Sequence, residues 1–456
     1  MSIPKPAKTN QDKFGYRALL SIAVPLAATV GCFSITLFTD RTLLMWYGPT
    51  SSAASVAAGN LYWAIVCIHV TAMGFITPLV AMAMGLRRSR GDVTRRVWSL
   101  VWQCVWLTAA CVPVFALVAW CSPLIFSWFG HELELAREEA MYFRTLLLVA
   151  PASMLEAGLT AFFVGRRITK PILRTNIASA CLNVALDYWL IFGGLDVPAL
   201  GVFGAAIATA LAMWFKAAVF IALLVRIKSF RRHVGVAWQP RGALMREIVV
   251  PGSTLGIQQL IRSSLFSFVL LVIGAASVTG LAATSAALSL YQLLSIPAIG
   301  LATAITVMTG QAFATDGLPL AGAVVRRGLI LGAILVVMLA SVLLLFPHHL
   351  LQIPLGGLDA TQRDQIEPWA TELLRYAAIY GLVDVASLLF GAAAKGIGKT
   401  FIILIATAIP GLVTVWLGHA FAPSGPSAVS HWWWVLIGWA SVQTILVGYG
   451  VFRGLK

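Results

Sequence analysis

Two polar residues one helical turn apart, Asn183 and Asp187, interrupt the stretch NIASACLNVALDYWLIFG at 176–193, which otherwise reads as lipid-facing or core-facing apolar sequence. A carboxylate at bilayer depth costs roughly 2.5 to 3.5 kcal/mol on insertion scales, and residues that carry this cost usually line an ion or substrate path. The i, i+4 spacing sets amide and carboxylate on one helix face about 6 Å apart, which suits shared coordination of a small cation or a proton. The competing role, a polar pair that holds two helices together, is normally filled by neutral side chains. Asp40, Glu156 and Asp384 lie in similarly apolar surroundings.

These residues need membrane-spanning elements to hold them. The chain is 59% hydrophobic and 11% charged over 456 residues, and apolar runs of this length are transmembrane helices. Twelve are expected, near 17–44, 54–84, 96–119, 141–164, 171–193, 202–225, 247–275, 280–308, 324–346, 370–394, 400–421 and 432–452. No cleavable signal peptide is expected at the short basic N-terminus. The net charge of +15 could suggest nucleic acid, but the basic residues cluster by topology. Lys5, Lys8, Lys13 and Arg17 precede the first segment, Arg87, Arg88, Arg90, Arg95 and Arg96 follow the second, and Arg166, Arg167, Lys170 and Arg174 follow the fourth. Arg226, Lys228, Arg231, Arg232, Arg241 and Arg246 follow the sixth, Arg326 and Arg327 precede the ninth, Lys395 and Lys399 follow the tenth, and Arg453 and Lys456 end the chain. All fall on one side of a twelve-helix arrangement, so both termini are expected in the cytoplasm, with no nucleic-acid partner. The opposite loops are acidic or neutral, as in HELELAREEA at 131–140 and around Asp359, Asp364, Glu367 and Glu372. His431 to Trp434 open the last segment at the outer interface, where amphipathic rings are favoured. The six cysteines show no CxxC spacing and read as small core residues.

With that orientation, depth sorts the polar residues. Asp40 lies about five residues from the outer end of its segment, Asp187 about five from the outer end of its own, and Thr209 about eight from the outer start of the next. Asp40, Asn183, Asp187 and Thr209 thus form an expected cation-coupling cluster at one height. Their oxygens suit a hard cation such as sodium, the one metal expected. Two carboxylates sharing a low-dielectric pocket can equally load and release a proton. Pro25 removes a backbone bond in the first segment and is a candidate bending point.

The chain is also written twice. SIAVP at 21–25 returns as EIVVP at 247–251, Gly74 and Thr77 as Gly300 and Thr303, Ala57-Ala58 as Ala282-Ala283, Arg95-Arg96 as Arg326-Arg327, and GRRIT at 165–169 as GIGKT at 396–400. Each half holds six helices, an even number, so both run in the same sense about an axis along the membrane normal, as in alternating-access transporters. The expected organisation is an N-terminal lobe at 1–226, a cytoplasmic linker at 227–246 and a C-terminal lobe at 247–456. Asp40 and Asp187 land near Phe266 and Gly418 in the second copy, so these acids are not a requirement of the repeated fold.

In this order, Phe38-Thr39-Asp40, Asn183-x-x-x-Asp187, LGVFGAAIAT at 200–209, Pro251, GLAATSAAL at 280–288, and Asp384 followed by GAAAKGIGKT resemble the multidrug and toxic compound extrusion (MATE) family. That family belongs to a superfamily that also contains lipid-linked oligosaccharide flippases. The resemblance covers the whole chain. It implies an all-α integral membrane protein of two six-helix lobes, in the inner membrane of a bacterium. It also implies that Asp40, Asn183 and Asp187 bind the coupling proton or sodium, with no cofactor. Many NorM-type members place a Glu on the seventh helix as partner of the tenth-helix Asp; here Gln258 or Gln259 stands at the matching place. Arg262, about one turn further on, lies near the depth of Asp384. An unpaired arginine there is costly, so an Arg262–Asp384 ion pair is expected, leaving little negative charge for a cation in that lobe.

Glu156, Tyr291 and Gln292 are candidates for lining a substrate cavity, and Met73, Met82, Met84 and Met308 could make it adaptable. Lys216 is expected to snorkel to the cytoplasmic end of its helix, and His69 to be a packed polar residue. The expected activity is exchange of an inward-moving cation for an outward-moving amphipathic, cationic compound by a monomer that is not an enzyme. GIGKT at 396–400 is too short for a phosphate loop and lacks the strand context. Two other readings stand beside this one. A flippase for a lipid-linked precursor would call for several cations deep in the spans, where Lys216 and Arg262 stand against Asp40, Glu156, Asp187 and Asp384. A polytopic membrane enzyme would call for a His–carboxylate cluster near loops, and His348-His349 lack a nearby acid in sequence.

Overall fold

The structure is a computed structural model and describes residues 14–86, 89–128, 133–194, 196–355, 360–423, 425 and 427–455. Of the charge pattern, Lys5, Lys8, Lys13, Arg87, Arg88, His131, Glu132, Asp359 and Lys456 lie outside the described residues. The chain is all-helical, with an isolated β-bridge from Gly194 to Val197 and no strand among the described residues. The helices are α1 (Tyr16–Tyr47), α2 (Pro49–Gly74), α3 (Ile76–Gly85), α4 (Arg90–Trp128), α5 (Leu133–Gly165), α6 (Lys170–Phe192), α7 (Gly201–Val225), α8 (Lys228–Ala237), α9 (Gly242–Ala276), α10 (Val278–Asp316), α11 (Leu318–Leu345), α12 (Pro347–Leu355), α13 (Ala360–Gly396), α14 (Thr400–Ala420) and α15 (Ser427–Leu455).

Every one of the twelve expected segments is helical, the second as α2 and α3 in series across a turn at Phe75. Among the described residues, eleven stretches are long and apolar enough to cross a membrane. The helix that falls short is α6, which at 23 residues is about 35 Å long and still reaches across a hydrocarbon core. Its hydropathy is lowered by its own inward face, where Thr175, Asn176, Ser179, Asn183 and Asp187 are buried. Ile177, Ala178, Cys181, Ala185 and Tyr188 lie outward. This pattern, polar in and apolar out, is what a helix adopts when its solvent is lipid.

By packing, the chain forms two compact units, residues 28–256 and residues 1–27 with 257–456. The start of α9 therefore packs with the first half. A Cβ at Gly252 or Gly256 would lie 2.5 Å from the Cα of Ala72 or Ile68, so this small-xxx-small face lets backbone meet backbone. Likewise the start of α1 packs with the second half, where a Cβ at Gly300 would strike the Ala23 carbonyl. Helix α1 runs unbroken through Pro25, two residues before the division between units.

Within residues 28–256, α5 is central and packs against α2, α4 and α7, while α6 packs on α7. In the other unit α13 packs against α10, α11 and α15, and α14 on α15. The two repeated turns are built alike: a Cβ at Gly165 would sit 2.8 Å from the Thr77 carbonyl, and one at Gly396 2.8 Å from the Thr306 carbonyl. Arg167 and Gly398 hold the same place in those turns with φ of 60° and 80°.

Two details go beyond the sequence reading. Trp432 and Trp433 are fully buried in the core of the second unit, and Trp434 alone of the three is exposed, so only one ring faces outward. Trp433 finds a partner inside: its Nε1 donates to Thr284 Oγ1 at 3.3 Å. The segment 227–246, expected as the cytoplasmic linker, contains α8 and is fastened to α4. Gln103 Nε2 donates to the Gln239 carbonyl, its Oε1 accepts from Arg241 N–H, and Trp106 Nε1 donates to the Trp238 carbonyl, at 3.1, 2.8 and 2.6 Å.

Candidate cation-coupling site

Asp40 stands seven residues before the end of α1, Asp187 five before the end of α6, and Thr209 eight after the start of α7. All three are thus roughly 8 to 12 Å from a helix end at 1.5 Å per residue. The loop between α6 and α7 holds them level. Gly193, at φ 80°, ends α6, Leu200 N–H donates back to the Leu190 carbonyl at 3.0 Å, and Gly204 lies flat on Leu190 and Ile191. Below, Ser179 Oγ donates to the Ala212 carbonyl at 3.0 Å and ties the helices together again.

Of the expected cluster, Asp40 meets Asp187, and Asn183 is buried one turn away on the same helix face. Asp187 is 0% exposed and Asn183 2%. The side chains of Asp40 and Asp187 reach each other, near enough for a proton to bridge them. Six buried atoms here have no hydrogen-bond partner within the protein: Asp40 Oδ1, both polar atoms of the Asn183 side chain, both oxygens of Asp187, and Thr209 Oγ1. A buried polar atom left unpaired costs about 1–3 kcal/mol, and more when charged. Arg41 is in electrostatic reach of Asp40, and a shared proton or a bound cation would satisfy the remaining oxygens. Carboxylate, amide and hydroxyl oxygens are the ligand set of a hard cation, and the facing carboxyls serve a proton equally well.

Three neighbours of this pair were not identified from sequence. Tyr142 on α5 is 8% exposed and lies within electrostatic reach of both acids, and Tyr62 on α2 and Arg41 belong to the same neighbourhood. The Tyr62 hydroxyl meets Ser153 Oγ at 3.3 Å. Arg41 is marked by its adjacency to Asp40; nothing in the sequence singles out the two tyrosines from others in apolar runs.

The remaining membrane acids are compensated. Glu156 Oε1 lies 3.6 Å from Lys216 Nζ and accepts from Thr160 Oγ1 at 3.0 Å. Lys216 does not snorkel: its side chain is 12% exposed and turns inward, because the Glu156 carboxylate offers a nearer partner than the interface. Asp384 forms the expected ion pair with Arg262 and accepts from the Tyr291 hydroxyl at 2.6 Å. Tyr380, one turn before Asp384 on α13, is in reach of both charges, a spacing visible in the sequence. Gln259 is half-buried and Gln292 exposed, while Gln258 turns away to donate to Thr407 Oγ1 at 3.2 Å. His69 is packed, its Nδ1 3.0 Å from the Ile65 carbonyl and its ring against Phe115. Met73 and Met308 are core residues.

Outside the spans, burial pulls the Arg167 guanidinium down to about 10, still cationic at neutral pH. Arg166 stacks over the Phe162 ring at 5.2 Å.

Comparison with known proteins bears on the whole chain. It is 29% identical over 436 residues to the probable multidrug resistance protein NorM of Burkholderia mallei, covering 93% of this chain and 90% of that one. It is 30% identical over 400 residues to the probable multidrug resistance protein NorM of Bradyrhizobium diazoefficiens, covering 86% and 83%. A crystal structure of MATE in complex with MaL6 superposes with a TM-score of 0.85 at 18% identity over 98% of each chain. An outward-facing multidrug resistance MATE family transporter of the MOP superfamily gives 0.82 at 19% identity, covering 99% of this chain and 98% of that one. The MatE family profile matches twice, at residues 25–189 and again at 255–418, so the chain belongs to the MatE family of multi-pass membrane transporters.

Proposed function

We propose that this chain is a secondary active efflux transporter, in which a proton or sodium ion moving inward drives an amphipathic, cationic drug or metabolite outward by alternating access. One observation carries the reading: of the acids deep in the spans, Glu156 and Asp384 are each paired with a basic side chain. Asp40 and Asp187 instead face each other among oxygens that find no donor in the protein. A mobile cation is the missing partner. The coupling site is accordingly Asp40, Asn183, Asp187 and Thr209.

The multidrug resistance descriptions of the NorM relatives support the cargo class. The double match of one family profile and the like packing around α5 and α13 support two six-helix lobes about an axis along the membrane normal. In this reading the lobes are 1–226 and 247–456. The clustered basic loops support cytoplasmic termini in a bacterial inner membrane, and the protein works as a monomer. A flippase for a pyrophosphate-linked lipid draws no support from Lys216 and Arg262, since both already hold carboxylates.

The test is efflux of a cationic dye from liposomes holding the purified protein, under an imposed pH gradient and separately a sodium gradient. One gradient should drive efflux. Efflux driven by neither overturns the proposal.

A further inference from the structure

The acid of the second unit is satisfied from within. Arg262 Nη2 donates to Asp384 Oδ1, and the Tyr291 hydroxyl donates to Oδ2 at 2.6 Å. Tyr291 is held in turn: its ring meets that of Tyr380 edge to face at 5.4 Å, and a Cβ at Gly381 would press on it at 2.9 Å. Lys395, at the end of α13, is within electrostatic reach of Arg262.

The sequence repeat shows what the fold requires here. Asp384 falls in register with Ser153, and Arg262 with Thr36. Ser153 meets the Tyr62 hydroxyl at 3.3 Å, and Thr36 Oγ1 donates to the Cys32 carbonyl of its own helix. Tyr291 itself matches Ile65, one turn from Tyr62, so the first half carries neither the acid nor the base at these places, and its own tyrosine–hydroxyl contact comes from a neighbouring position. The charge pair of the second half is thus not a requirement of the repeated fold.

We propose that Arg262 is a tethered counter-ion that takes the place of a mobile cation at Asp384 and thereby confines cation exchange to a single site. The proposal rests on the coupling role assigned above to Asp40, Asn183 and Asp187. A guanidinium fixed on α9 is always present at Asp384, whereas a free ion must first displace it. Its removal leaves a buried carboxylate beside the Tyr291 hydroxyl, an oxygen environment open to a proton or a sodium ion. Arg262 is then the residue that sets how many cations this chain binds.

The experiment measures binding of radiolabelled sodium, and proton uptake from weakly buffered solution, by the full-length protein in lipid nanodiscs. D187N should lose the wild-type cation, D187N/R262Q should bind one cation that D187N does not, and D187N/R262Q/D384N should lose it again. No gain on adding R262Q overturns the proposal. R262Q/D384N, with both charges removed, guards against a misfolded single variant: it should keep the wild-type cation count, and loss of a cation there overturns the proposal as well. If D187N itself keeps the wild-type cation, the coupling assignment fails, while the comparison of R262Q with R262Q/D384N still reads the role of Arg262.

Discussion

Replacing Asp187 with asparagine preserves the side-chain shape, removes the charge, and so separates coupling from folding. Asp187 is 0% exposed and neither of its oxygens has a donor in the protein. A charged ligand contributes about 1.5–3 kcal/mol to such an interaction against about 1 for a neutral one. The difference is about 0.5–2 kcal/mol, which at tenfold in affinity for each 1.4 kcal/mol weakens cation binding roughly 2- to 30-fold. The fold loses no ion pair, and an uncompensated buried carboxylate is removed, so thermal stability should hold or rise. Dye efflux from liposomes under the effective gradient should fall by that factor, with the melting temperature of the purified variant at or above wild type. Wild-type efflux from D187N would refute the coupling assignment. Loss of efflux together with a lowered melting temperature would make Asp187 a folding residue and refute it in another way.

Three further outcomes follow from the geometry. Lys216→Met strands Glu156 and should cost about 1–3 kcal/mol after allowing for partial exposure, and Lys216→Met with Glu156→Gln should recover most of it in a thermal double-mutant cycle. Gly204→Leu sets a side chain against the Leu190 carbonyl and wedges α6 from α7; gradient-driven efflux should fall by about tenfold or more while α-helical circular dichroism persists, since roughly 1 Å of misplacement is felt at a coordinating site. Gln103→Ala removes the bonds to Gln239 and Arg241 and should cost about 1–3 kcal/mol; limited proteolysis should then cut faster between Val225 and Gly242.

Much of this protein is legible in its chain because the bilayer is a severe solvent. Backbone groups cannot stay unpaired in hydrocarbon, so each long apolar run must be a helix, and every expected segment is one. The same severity marks the acids, since each costs enough to demand a purpose or a partner. Helical rise sets Asp40, Asp187 and Thr209 at similar distances from their helix ends, Asp40 meets Asp187, and Arg262 finds Asp384 because neither charge is tolerable alone.

The sequence by itself determined these elements, the depths of their polar residues and the need to compensate charge. Only the tertiary structure decided which partner each charge takes and which way each face turns. Lys216 turns inward to Glu156, Trp433 inward to Thr284, and Gln258 to Thr407 rather than to Asp384. The starts of α1 and α9 pack with the opposite halves through close backbone contacts at Gly300, Gly252 and Gly256. Hydropathy reports cost along one dimension. Azimuth and neighbour are set by interhelical packing, where small residues meet distant backbone that no local pattern encodes.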